Sequence, residues 1–146
     1  MSLWSCPDCD RRFGKRNQSH ECAPAMDLEE YFSTGPDHER PVFDAIWAHL
    51  STLESDGGDA VHVEPLSVGV FFKGRGTFAQ LRPMMRWVAL SFNLDRKLTS
   101  SRLSRKVIAH GRRFYHVVNI ADPAEVDEQI RDWLTEAFFA DFGGRT

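Results

Sequence analysis

Apolar positions recur along this chain with two different periods, and the change of period divides it. Phe43, Ile46, Trp47, Leu50 and Leu53 fall on one stripe at helical spacing, which predicts a helix from about Glu39 to Leu53. Pro41 is tolerable only in its first turn, where the proline's missing N–H would find no helical partner anyway. Ahead of it, Asp27 with Glu30 has the form of a capping box and predicts a short helix through Phe32. Ser33, Thr34, Gly35 and Pro36 end that helix, and the run Asp56, Gly57, Gly58, Asp59 reads as a loop.

From there the period falls to two, as in strands. Short strands are expected at 61–63, 68–73 and 77–82, the last two joined at Gly74, Arg75 and Gly76. A longer strand follows over 86–94, with Val88, Leu90, Phe92 and Leu94 on one face. Residues 95–104 form a polar, basic loop, and 106–109 with 112–120 read as a hairpin turning at His110 and Gly111. On its second arm Phe114, His116, Val118 and Ile120 share a face. The closing helix is the clearest element: Asp122 as N-cap, Pro123 at its first position and Glu125 at its third. Val126, Ile130, Trp133, Leu134, Ala137 and Phe138 continue it as one apolar stripe. The expected fold class is α+β, a mostly antiparallel sheet of about five to six strands flanked by helices.

Composition changes this picture little. Of 146 residues, 42% are apolar and 27% charged, with eleven Phe and four Trp to fill a core. The apolar runs are too short to span a bilayer, and the N-terminal residues lack the basic and apolar regions of a secretory leader. The expectation is a cytoplasmic protein without a membrane partner. The net charge of −3 conceals a strong segregation. Residues 27–60 carry nine acidic side chains and one basic, whereas residues 61–120 carry eleven basic and two acidic. Such asymmetry speaks to partners rather than to fold.

All three cysteines fall within the first 22 residues, in the pattern C-x2-C-x10-H-x-C formed by Cys6, Cys9, His20 and Cys22. Two cysteines three apart close a tight turn around a metal, and the second pair completes a tetrahedron. One structural Zn²⁺ is therefore expected, in a knuckle over residues 1–26 ahead of an α+β domain over 27–146. Phe13 and Trp4 would cover the metal unit, which is too short to fold without it. A redox Cys-x-x-Cys pair would leave His20 and Cys22 without a role. The spacing leaves no room for a base-reading helix. Arg11, Arg12, Lys15 and Arg16 surround the net negative zinc–thiolate centre, either as phosphate contacts or as local neutralisation.

The run from Phe78 to Pro83, the strand after it, the run Arg113, Phe114, Tyr115, His116, then Asp127 and the run Trp133 to Phe138 resemble a bacterial family catalogued as domain of unknown function 5655. The resemblance covers roughly residues 28–140, and the knuckle around Gln18, His20 and Cys22 resembles one that precedes the domain in some members. It implies an α+β fold and supplies no activity, so no catalytic residue is carried over. The order of elements also resembles the double-wing DNA-binding fold.

Among chemistry-bearing residues, no Gly-rich phosphate loop, nucleophile elbow or second metal pair is found. His116 on an apolar strand face reads first as a core histidine. If the protein were an enzyme, His116 and Glu64 would be the residues to test, but a binding module is the better expectation. A simple meander would put Lys73, Arg75, Arg96, Lys97 and Arg102 at one end of the sheet. Arg82, Arg86, Arg112 and Arg113 would then share the other end. Such a rim fits DNA or RNA phosphates, while an acidic protein partner, a small ligand or pairing with the acidic helices are the alternatives. The sequence leaves oligomeric state open.

Overall fold

The computed structural model describes residues 27–142, together with the backbone of Trp4–Ser5 and Arg12–Phe13. These two dipeptides, β1 and β2, pair antiparallel, Trp4 opposite Phe13 and Ser5 opposite Arg12. Cys6, Cys9, His20 and Cys22 lie outside the described residues, as do Arg11, Lys15, Arg16 and the side chain of Arg12.

Asp27 caps α1 (Leu28–Ser33) by accepting from the Glu29 N–H at 2.8 Å, a simple cap rather than the capping box expected with Glu30. In α2 (Glu39–Leu50) the predicted stripe turns Phe43, Ile46 and Leu50 into the core, with Trp47 at its margin, and Val42, outside the predicted stripe, joins them. The helix stops earlier than its stripe. Its end tightens into i→i+3 bonds, from the Thr52 N–H to His49 O at 3.0 Å and from the Leu53 N–H to Leu50 O at 3.1 Å.

Six strands follow: β3 (His62–Leu66), β4 (Gly69–Lys73), β5 (Thr77–Pro83), β6 (Val88–Leu94), β7 (Ile108–His110) and β8 (Arg113–Ile120). They form one sheet in the order β3-β4-β5-β6-β8-β7, every neighbouring pair antiparallel. Asp122, Pro123 and Glu125 make the predicted capping box, but it closes only a 3-10 turn (Pro123–Glu125). Helix α3 (Glu128–Asp141) starts afresh behind a second cap, Asp127, which accepts from the Ile130 N–H at 3.2 Å.

Helices α2 and α3 cover one face of the sheet. Into it point Val70 and Phe72 of β4, Leu81 of β5, Val88, Leu90, Phe92 and Leu94 of β6, and Val118 and Ile120 of β8. The pairing register shifts between β4 and β5, from Phe72 opposite Ala79 to Lys73 opposite Thr77. The extra residue, Phe78, thereby joins the core and meets Phe138 edge-on at 5.5 Å. Each such fully buried aliphatic or aromatic side chain contributes about 1.5–3 kcal/mol relative to exposure.

The sheet is not a simple meander. After β6 the chain does not turn straight back. Residues 95–107 cross the helical face beside α3 and reach the other end of the sheet before β7 begins. Leu103 bridges to Val118, near the end of β8. Strand β7 therefore runs parallel to β6 with β8 between them. This corrects the expected grouping of charges. Arg112 and Arg113 lie at the same end as Arg75 and Arg96, where Arg113 meets Asp95, and Arg102 lies at the opposite end. The crossing is pinned at three points. Arg96 grips Glu136 with two bonds of 2.8 and 2.9 Å. The N–H of buried Leu98 donates to His116 Nε2 at 3.0 Å. Arg102 reaches both oxygens of Asp127 at 2.8 and 3.0 Å and the Glu125 carbonyl.

Candidate nucleic-acid interface

Alternation along the strands gives the sheet a second face, turned away from α2 and α3, and the register aligns its side chains in rows. Phe71, Gln80, Ser91 and Val117 form one row across β4, β5, β6 and β8; Arg82, Ala89 and Asn119 form the next. A recess of ≈ 60 Å³ opens on these rows, its polar lining being Gln80, Arg82, Ser91, Arg105 and Tyr115. Val117, Ala89 and Met84 complete it. Ser91 and Val117 are buried and form its floor; Tyr115 is half-buried, and Arg82 and Arg105 are exposed. No carboxylate among the described residues lines it. Gln80 Nε2 is buried and has no hydrogen-bond partner among the described residues. Arg105 came from outside the residues that sequence patterning assigned to the rim. The crossing loop brings it to Arg82, and nothing in its local sequence signals that meeting.

Beyond the recess, Met84 donates its N–H to the Trp87 carbonyl at 2.8 Å, closing the turn between β5 and β6. His38 Nε2 lies 3.2 Å from the same oxygen. Met85 at this turn is 89% exposed, with Met84, Arg86 and Trp87 also exposed. Arg82, Arg86, Arg105 and Lys106 make no ion pair among the described residues.

The other predicted contacts have different surroundings. Lys73 is 2% exposed, its Nζ 3.3 Å from Oε1 of equally buried Glu64, with His62 Nε2 3.9 Å from the other carboxylate oxygen. Arg96 and Arg102 are engaged with α3 as described. The hydrogen bonds that Arg96 donates to Glu136 raise its pKa, and those from Arg102 hold the Asp127 carboxyl below its usual range. Arg113 lies 3.3 Å from Asp95 and 3.8 Å from Asp141, and donates to the Ala140 carbonyl at 3.1 Å. Asp141 accepts the backbone N–H groups of Arg75 and Gly76, tying the end of α3 to the β4–β5 turn. Burial pushes its carboxyl up, against those donors and the Arg113 charge, which pull it down. The hollow of ≈ 510 Å³ at this end sets Asp95 beside Arg112 and Arg113, so its charges are mixed. Lys97 and Arg112 are exposed.

His116 is 1% exposed, stacked on Phe92 at 5.3 Å between ring centres, and lines neither of the two recesses just considered nor the neighbouring one at Glu136. Accepting from Leu98 fixes its proton on Nδ1, which is buried without a partner. Burial lowers its pKa. It serves the core and the crossing loop. Among the described residues no three His, Cys, Asp or Glu side chains gather as a metal site. No helix there is long and apolar enough to cross a membrane.

The fold and this face define a small α+β protein with a helix-covered antiparallel sheet and a donor-rich recess on its other side. The chain belongs to the family described as domain of unknown function (DUF5655), whose model matches residues 28–139. No curated protein and no solved structure matches it.

Proposed function

We propose that the domain is a nucleic-acid-binding module that contacts phosphates through the second face of its sheet, at Arg82, Arg86 and Arg105. A structural Zn²⁺ held by Cys6, Cys9, His20 and Cys22 would order the preceding knuckle. The observation that carries this reading is the gathering of Arg82 and Arg105 around one recess without a carboxylate. Two uncompensated guanidinium groups on one surface attract a polyanion, and fixed forks suit phosphate oxygens. Tyr115 in the recess and Trp87 at the adjacent turn supply aromatic surface on which unpaired bases stack.

The test is an anisotropy titration with duplex DNA, single-stranded DNA and RNA at low salt. Affinity should fall steeply with salt, because each phosphate contact releases condensed counterions. The double variant Arg82→Glu, Arg105→Glu should abolish binding to all sequences alike, since such contacts position without reading bases. Arg112→Glu, at the mixed-charge end, should change it little. Absence of binding to all three nucleic acids at tens of micromolar, about the non-specific range, would end the reading. Zinc is tested by metal analysis of the wild type with Cys9→Ser and Cys22→Ser, and full retention in both variants would refute it.

A second reading, an acidic protein partner, is favoured by exposed Met84, Met85 and Trp87 beside Arg86. Adaptable methionines with Trp and Arg are typical anchors of protein interfaces. Substituting Met85 and Trp87 by Ser separates the two: a protein partner would be lost, whereas phosphate-driven binding would keep its salt slope.

A further inference from the structure

The recess itself is more specific than a basic surface requires. Its polar lining is made of donors: two guanidinium groups, a serine and a tyrosine hydroxyl, and the Gln80 amide. Gln80 Nε2 is itself covered and unpaired among the described residues, a costly state that a small turn of the side chain toward a ligand in the recess would relieve. The position is also held by backbone. Gly69, at φ +152°, packs its backbone close to the Leu81 carbonyl, and a Cβ there would run into that oxygen and stand 3.3 Å from this nitrogen.

Size narrows the ligand. At about 30 Å³ for each water, a recess of ≈ 60 Å³ admits one small polar group, of the size of a phosphate head. It is far below the ≈ 300 Å³ at which pockets begin to hold whole small ligands, so a nucleoside does not enter. Buried Ser91 and Val117 close the floor, so the group enters from the open side alone, and the donors favour the group that presents more free oxygens. An internal phosphodiester has two ester arms and fewer free oxygens; a phosphomonoester has one arm and three.

We propose that the recess is a binding site for a single phosphomonoester, and that on this face it receives the phosphorylated end of a nucleic-acid strand. Arg82 and Arg105 neutralise the dianion, and Gln80, Ser91 and Tyr115 orient its oxygens. The second half of the proposal rests on the nucleic-acid reading above; the first does not.

The experiment compares one short single strand carrying a 5′-phosphate, a 3′-phosphate or only hydroxyl ends. Inorganic phosphate and a nucleoside monophosphate serve as competitors, and the Gln80 side-chain amide is followed by NMR. One phosphorylated form should bind about tenfold more tightly, as expected for added charge-assisted hydrogen bonds. Gln80→Leu and Arg105→Gln should erase that preference while the hydroxyl-ended strand still binds. Arg86→Gln, outside the recess, should weaken every strand by the same factor and keep the preference. Equal affinity for all three strands, with no shift of the Gln80 amide, overturns the phosphate site and leaves the nucleic-acid reading standing. If no strand binds but phosphate or the mononucleotide shifts the Gln80 amide, the phosphate site stands and the strand-end assignment falls. Silence in every arm overturns both.

Discussion

On the helical face Arg96, Arg102 and Arg113 each end on a carboxylate: Glu136, Asp127, and Asp95 with Asp141. On the second face Arg82 and Arg105 flank a recess with none. The same residue type thus does two jobs within one sheet. On the helical side arginine holds a crossing loop and a helix end in place. On the other side it is left with its charge unspent among donors and an exposed aromatic. Local sequence does not distinguish the two, since Arg96 and Arg105 both sit in the same polar loop. What separates them is that α3 supplies acids along its length, and only the helical face sees α3.

The comparison can be broken most severely at Asp141. Asp141→Ala removes the buried carboxylate that accepts the part-buried N–H groups of Arg75 and Gly76, and about 3 kcal/mol of stability should be lost. Urea unfolding measures it. Gly69→Ala follows, at about 2 kcal/mol, because its φ of +152° strains a side chain and the added Cβ would run into the Leu81 carbonyl. Unlike Asp141→Ala, this change also disturbs the Gln80 amide and should weaken ligand binding at the recess.

A pH series probes the middle of the crossing. The His116 pKa is lowered by burial, so its folded value lies beneath its unfolded one. The stability it confers is present above about pH 6.5 and is lost as pH falls through the folded value. Protonation would place a donor against the Leu98 N–H and free the loop. Unfolding free energy should therefore decline on acidification, and His116→Gln, which keeps an acceptor but does not titrate, should flatten that part of the curve. Glu39 acts in the opposite sense. Burial raises its pKa, so its contribution is lost as pH rises through the folded value, and the two effects separate by variant.

The smallest effects on stability sharpen the contrast. Arg96→Gln removes an ion pair whose partners are 58% and 37% exposed, and should cost under about 1 kcal/mol. It should leave ligand binding unchanged. Arg82→Gln with Arg105→Gln should change stability by less than about 0.5 kcal/mol, because neither side chain has an ion-pair partner to lose among the described residues, yet binding should fall. A double variant that destabilised the fold without touching binding would erase the distinction between the faces.

Hydrophobic periodicity by itself determined the elements. The stripes of α2 and α3 and the alternation of β6 and β8 are local patterns, and burial followed them, because a face excluded from water must be apolar at the spacing of its own backbone. The charge imbalance of residues 61–120 was equally plain in the sequence. Where those charges would stand was not. A simple meander would return the chain through the loop at 95–104 straight into the neighbouring strand, but residues 95–107 instead cross the sheet, guided by Leu98, His116 and the acids of α3. That one crossing moved Arg102 to one end, Arg113 to the other and Arg105 beside Arg82. It also set Arg96 and Arg102 against carboxylates of Glu136 and Asp127, distant in sequence. A side chain's partners are set by neighbours that only the packed chain brings near, so which arginines stay available for a ligand was decided by tertiary structure alone.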